Sequence, residues 1–370
     1  MAKPRDGICR WGILGTATIA RKNWRAIRNA ANATLAAVAS RDAARAAEFV
    51  AECQSHVPFP STPEAVGGYD ALLARDDVDA VYIPLPTGLR RRWAVEAARA
   101  GKHVLAEKPS GRDLGEVEEI VAACRESGVQ FMDGVMFMHS ARLEQLRQVL
   151  DDQESVGRLR RIVSQFSFKA PEDFLRENIR VSSDLEPMGC LGDLGWYDVR
   201  FALWTMGWEL PRQVSGRLLA EARRPDSPGA VPTEFSGELL FRDGVSASFY
   251  CSFVTENQQW AHVSGDAGYV QIDDFVLPYL GSEVAFDLSR HHYRIEGCDF
   301  KYEPHTRRFA VREYSDGAPD AQETRMIRTF SDLVLQGQPD GFWSDAALKT
   351  QRVLDACLAS ARKGGRLVEP

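Results

Sequence analysis

The cysteines are scattered and badly placed for cross-linking. Cys9, Cys53, Cys124, Cys190, Cys251, Cys298 and Cys357 are scattered over 370 residues with no Cys-x-x-Cys pair. That spacing argues against a disulfide framework and a cysteine zinc site, and it fits reduced thiols in a cytoplasmic protein. Long apolar runs are missing too. No segment approaches the roughly twenty apolar residues a membrane span needs, and the opening Met1-Ala-Lys-Pro-Arg-Asp carries no signal-peptide stretch. There is no basic excess either: a formal net charge of -7 gives a nucleic-acid backbone nothing to bind in general. His291-His292 and His305 have no partnered acidic motif, so no metal is assigned. What remains is a soluble globular chain that is long for one core, and two domains are expected.

Residues 1–134 alternate apolar strands with helices. Strands are expected over 8–14, 35–40, 80–84, 103–107 and 130–134, and helices over 17–30, 42–53, 90–100 and 114–127. Short helices are expected at 63–66 and 69–74. Nearly continuous apolar strands between helices predict a doubly wound α/β parallel sheet covered on both faces. Residues 135–370 read differently. Residues 160–169 alternate in polarity, one continuous helix is expected over 191–206, and strand-like runs follow to about residue 272. Asp243-Gly244 marks a hairpin turn between two of those runs. This predicts an α+β domain with an open, mostly antiparallel sheet, its last helices free to pack back on the first domain.

Between the first strand and helix lies Gly15-Thr16-Ala17-Thr18-Ile19-Ala20, a Gly-x-Ala-x-x-Ala variant of the dinucleotide fingerprint. Gly15 would make the tight turn, and the helix start at Ala17 would receive the pyrophosphate. The second strand ends Ser40-Arg41-Asp42 where NAD sites usually carry an acid. Ser40 and Arg41 suit a 2′-phosphate, so NADP(H) is the expected cofactor, with Asp42 keeping NAD(H) open. The run His103 to Ala106 reads as a strand ending in Glu107-Lys108-Pro109. A lysine there points an ammonium group beyond the carboxyl edge of the sheet, where ligands bind in such folds.

Three stretches, Gly15-Thr-Ala-x-Ile-Ala, Gly101-Lys-His-Val-Leu-Ala-Glu-Lys-Pro109 and Gly189-x-x-x-Asp193-x-Gly195-x-Tyr197, resemble the Gfo/Idh/MocA oxidoreductases. The resemblance runs to the tail, Phe330 to Val368, and covers nearly the whole chain. It implies an N-terminal Rossmann domain and a C-terminal α/β domain whose open sheet face makes a homodimer or homotetramer. It also implies hydride exchange between NAD(P) and a carbinol or carbonyl of a sugar, cyclitol or diol. Lys108, Asp193 and Tyr197 are then the catalytic candidates. Glu107, Lys108 and the segment Pro84, Leu85 and Pro86 join the cofactor contacts. Many relatives carry histidine where this chain has Tyr197, as dihydrodiol dehydrogenases and glucose–fructose oxidoreductases do.

A phenol with an ordinary pKa of roughly 10 is a poor base, so Tyr197 is expected to work with Lys108 as a proton-transfer pair, Asp193 positioning one of the reacting groups. Where the family often reads Pro-Asn-x-x-His this chain has Pro86-Thr87-Gly88-Leu89-Arg90, followed by Arg91 and Arg92. Arginines there read either as a solvated helix face or as a preference for an acidic substrate. Two other readings stay open: a transhydrogenase that keeps its cofactor bound, and a catalytically silent dinucleotide sensor or scaffold.

Overall fold

The computed structural model describes residues 7–315 and 317–370, which divide into two compact units. The first comprises the described residues up to His139, Ser182–Pro187, and those from 317 to Gln351; the second holds the rest.

The first unit is built on β1 (Cys9–Leu14), α1 (Thr18–Asn29), β2 (Ala33–Ser40), α2 (Ala43–His56), β3 (Glu64–Gly67), α3 (Tyr69–Leu73), β4 (Ala80–Ile83), α4 (Thr87–Arg99), β5 (His103–Ala106), α5 (Leu114–Glu126) and β6 (Phe131–Asp133). Its six strands are all parallel, in the order β3-β2-β1-β4-β5-β6. Strand order reverses between β1 and β4, and the crevice there is the ligand position of a doubly wound sheet. The expected helix at 63–66 is instead β3, paired with β2 from Ala37↔Glu64 to Ser40↔Gly67. An edge strand tolerates the preceding Pro63, which has no N–H to offer. Long-range pairing decided this segment, and four residues hold no periodicity that could announce it.

Both faces of the sheet are covered. Cys9, Trp11 and Ile13 alternate towards α1 and towards a helix from the far end of the chain, α10 (Gln322–Gln336). Leu14, Val81 and Val104 serve the core under α4 and α5. Trp11 is fully buried, its ring 5.1 Å from that of Phe330 and its Nε1 donating to Ser331 Oγ at 3.1 Å. Truncating a ring so placed costs about 3–5 kcal/mol. Along α1, Ala20, Trp24 and Ile27 fall on one face and are buried.

The second unit is an eight-stranded sheet, ordered β16-β13-β12-β11-β7-β10-β9-β8. Its strands are β7 (Leu159–Ser167), β8 (Gln213–Ala222), β9 (Val231–Leu240), β10 (Ser246–Ser252), β11 (Gln258–Gly265), β12 (Tyr269–Ile272), β13 (Glu283–Ser289) and β16 (Thr306–Arg312). All neighbours are antiparallel except β7 and β10. The β9–β10 hairpin turns where expected, with Asp243 and Gly244 at positive φ. One face is apolar (Ile162, Phe249, Val263) and lies under helix α9 (Gly195–Thr205), while the other carries half-buried Arg161, Tyr250 and His262. A separate hairpin pairs β14 (His292–Glu296) with β15 (Asp299–Glu303). Among the described residues no helix is long and apolar enough to cross a membrane.

Candidate active site

Gly15 follows β1 at the switch point with φ 114°, a conformation that costs L side chains dearly. A Cβ there would lie 2.9 Å from Leu85 Cδ2, so the Gly15 turn and the Pro84-Leu85-Pro86 loop after β4 meet at one place. Helix α1 follows at once. Its cap, Ala17, offers no side-chain acceptor, so no side chain caps the helix start, the arrangement that suits a pyrophosphate. The residues therefore fit a dinucleotide. At the end of β2, Asp42 is committed elsewhere: its carboxylate caps α2 by accepting from Ala44 N–H at 2.9 Å. Arg41 and Arg45 are exposed beside it, and both act electrostatically on the hydroxyl of the buried Tyr69. An acid held as a helix cap is a weaker ribose acceptor, and two arginines favour a phosphate.

The Glu107-Lys108-Pro109 turn leaves β5 at the same edge, with Lys108 and Glu107 both buried and the Lys108–Pro109 bond cis. Glu107 is held from beneath. Tyr82 Oη donates to Glu107 Oε1 at 2.6 Å, Asn23 bonds the Tyr82 oxygen, and Lys108 N–H reaches Glu107 Oε2 at 3.3 Å. Burial, and then the Glu107 charge, push the Tyr82 phenol well above its usual range, so it stays a donor. Pro109 is held from the side. Arg90 donates through Nη1 to the Pro109 carbonyl and to Thr87 Oγ1, at 2.7 Å for the latter, and Thr87 gives both its N–H and its hydroxyl to Glu186.

Asp193 and Tyr197 belong to the second unit, Lys108 to the first. The continuous helix expected over 191–206 is two: Asp193 closes α8 (Gly189–Asp193), Leu194 interrupts at ψ -47° and φ -106°, and Tyr197 sits in α9. The four-residue spacing therefore spans a junction between two helices, at which Leu194 keeps right-handed helical dihedrals and accepts from the Tyr197 N–H at 3.0 Å. Asp193 pairs with Arg180 Nε at 2.8 Å, and Tyr197 is buried with its ring edge-on to Phe166 at 5.5 Å. The next residue, Asp198, is fully buried, and burial holds its carboxyl well above the usual carboxylate range against a partial offset from Ser164.

Two family models match the chain: an oxidoreductase-family NAD-binding Rossmann fold over residues 9–135 and a GFO/IDH/MocA C-terminal domain over residues 143–271. The chain belongs to the Gfo/Idh/MocA oxidoreductase family. It is a nicotinamide-dependent enzyme of the dehydrogenase and reductase class. A D-xylose 1-dehydrogenase (NADP(+)) of Haloferax volcanii is 30% identical over 96% of this chain and 98% of its own. A mouse trans-1,2-dihydrobenzene-1,2-diol dehydrogenase is 30% identical over 73% of this chain and 76% of its own. The crystal structure of KijD10, a 3-ketoreductase from Actinomadura kijaniata in complex with NADP and TDP-benzene, superposes with a TM-score of 0.78 at 28% identity, covering 95% of this chain and 98% of that one. KijD10 has also been solved with one lysine or one tyrosine substituted.

In this Gfo/Idh/MocA chain, sequence reasoning left Arg90 between two readings and did not single out Arg45 or Tyr82. Arg90 is buried, whereas Arg91 bonds Glu119 at the surface and Arg92 lies over Trp93. The signal was present: Thr87, Arg90, Trp93, Ala94 and Ala97 share one helical face. Arg45, one turn beyond Arg41, was also readable. Tyr82 was not, because an apolar-looking central strand gives no hint of which phenol meets a carboxylate.

Proposed function

We propose that this protein is an NADP-preferring oxidoreductase that interconverts a carbinol and a carbonyl on a sugar, cyclitol or related diol. The observation carrying this reading is the convergence at one sheet edge of the Gly15 cradle, the Leu85 loop and a buried lysine whose two neighbours, Glu107 and Pro109, are each held by hydrogen bonds. When bound, a nicotinamide dinucleotide supplies the hydride-exchanging carbon. Gly15, Thr16, Ala17, Thr18 and Ile19 would hold its pyrophosphate, Ser40 and Arg41 with Arg45 its 2′-phosphate, and Pro84, Leu85, Pro86 and Glu107 its nicotinamide side.

Oxidation of a carbinol releases a proton from the hydroxyl oxygen, and that proton needs a protein acceptor. Tyr197 Oη takes it, and the Lys108 ammonium stabilises the resulting phenolate and the developing alkoxide. In the reductive direction Tyr197 returns the proton. Asp193, tethered by Arg180, positions the substrate. The lysine and tyrosine substituted in KijD10 support choosing these residue types. The half-buried outer face of the eight-stranded sheet is assigned to self-association, and the free thiols fit the cytoplasm.

The test is a panel of aldoses, cyclitols and trans-diols incubated with NADP(+) and, separately, NAD(+), followed by nicotinamide absorbance. Turnover of a polyhydroxylated substrate, faster with NADP(+), is expected. No nicotinamide reduction with any member of the panel, or turnover faster with NAD(+) than with NADP(+), would overturn the proposal.

A further inference from the structure

The histidines that lack an acidic partner in sequence gain one in the fold. His292 and Glu303 are direct cross-strand partners in the β14–β15 hairpin, and His305 lies two residues beyond Glu303, where the chain enters β16. The register puts His292 opposite Glu303, and His305 lies in the two-residue link between β15 and β16. The result is a cluster in which one imidazole nitrogen from each histidine and one carboxylate oxygen lie within 4.8 Å of one another. The two imidazole rings are 4.5 Å apart, and His305 Nε2 is 3.8 Å from Glu303 Oε2. The neighbouring His291 is spoken for by the Tyr269 hydroxyl at 2.9 Å.

We infer that His292, Glu303 and His305 form a binding site for a zinc-class divalent ion at the root of the hairpin. Two histidines and a glutamate are a recognised zinc donor set, with metal–nitrogen and metal–oxygen distances of about 2.0–2.2 Å. Drawing the donors onto one ion takes side-chain rotations of about 1 Å, which exposed side chains can make. The carboxylate is already oriented: Arg294 donates to Glu303 Oε1, leaving Oε2 turned to His305. A partner on the second oxygen is the outer-shell device that fixes ligands in metal sites. The site has a structural purpose. Among the described residues β14 and β15 pair only with each other, and Tyr293, Ile295, Phe300 and Tyr302 are all more than half exposed. A two-stranded hairpin without a core is marginally stable, and an ion held from both its strands and from the start of β16 would staple it to the large sheet. The site takes no part in the proposed hydride chemistry.

The experiment uses the full chain carrying Cys298→Ser, since Cys298 is the one exposed thiol and could itself capture zinc. Chelator-treated protein is titrated with zinc chloride by calorimetry, and with cobalt(II) for its visible absorption. One ion per chain at micromolar zinc is expected. His292→Ala combined with His305→Ala should weaken binding by more than about a hundredfold, and Arg294→Ala by about tenfold. Retained NADPH binding confirms that each variant is folded. Absence of one-per-chain binding, or unchanged affinity in the double histidine variant, overturns the assignment.

Discussion

His103 opens β5, the strand that delivers Lys108, and its titration has a calculable consequence. The ring is largely buried, and Nδ1 accepts from the Gln130 N–H at 2.9 Å. A protonated imidazole would aim an N–H at that N–H, so the fold selects the neutral ring. Burial, weakly opposed by Asp79, pulls the pKa down to about 4 from 6.5. Folding therefore excludes a proton that the unfolded chain binds, and the stability is complete above pH 6.5 and lost as pH falls from 6.5 towards 4. The full interval is worth about 3 kcal/mol, and partial exposure brings the expected loss to about 2 kcal/mol. His103→Asn keeps an acceptor near the Nδ1 position and cannot be protonated. In urea unfolding the variant should be slightly less stable than the parent near neutrality, then gain about 2 kcal/mol relative to it on acidification to about pH 4.5. Carboxylates titrating in both proteins cancel from the difference. A parent–variant difference that stays constant across this range refutes the reasoning.

Asp198 predicts the opposite slope. Its folded pKa lies above the unfolded one, so its contribution is full at low pH and declines as pH rises past about 4; Asp198→Asn should flatten the decline, and unchanged pH dependence in thermal unfolding would count against a protonated Asp198. Tyr82→Phe leaves Glu107 short of a buried donor and should lower the unfolding free energy by about 1–3 kcal/mol, with full stability retained as the contrary result in urea titration. Arg41→Ala should weaken NADPH binding by about tenfold or more while NADH binding changes little, read by tryptophan quenching; equal losses for both cofactors would remove Arg41 from the 2′-phosphate site.

Legibility followed the range of the interactions. The doubly wound unit was readable because its strands are nearly uniformly apolar and its helices carry clear periods. The mixed sheet was readable from alternation and from the Asp243-Gly244 turn. Segment 63–66 was misread because β3 exists only through its pairing with β2. The interruption at Leu194 was hidden because apolar residues continue through it. At the site, Lys108 and Gly15 stood out by local motif. Tyr82 beneath Glu107, and Glu303 between two histidines, are set by strand register, which a single sequence does not display. Glu186 on the start of α4 lies 99 residues from Thr87 and could not be paired with it by spacing.

The central claim is that Lys108 takes part in proton transfer during hydride exchange and is no mere structural lysine at a strand end. The direct measurement compares Lys108→Ala with the parent for NADPH affinity and for turnover of the best polyol or sugar substrate. NADPH binding should persist within a few-fold while turnover falls by about 10²–10⁴-fold. Turnover retained within about tenfold of the parent, with cofactor still bound, would contradict the account.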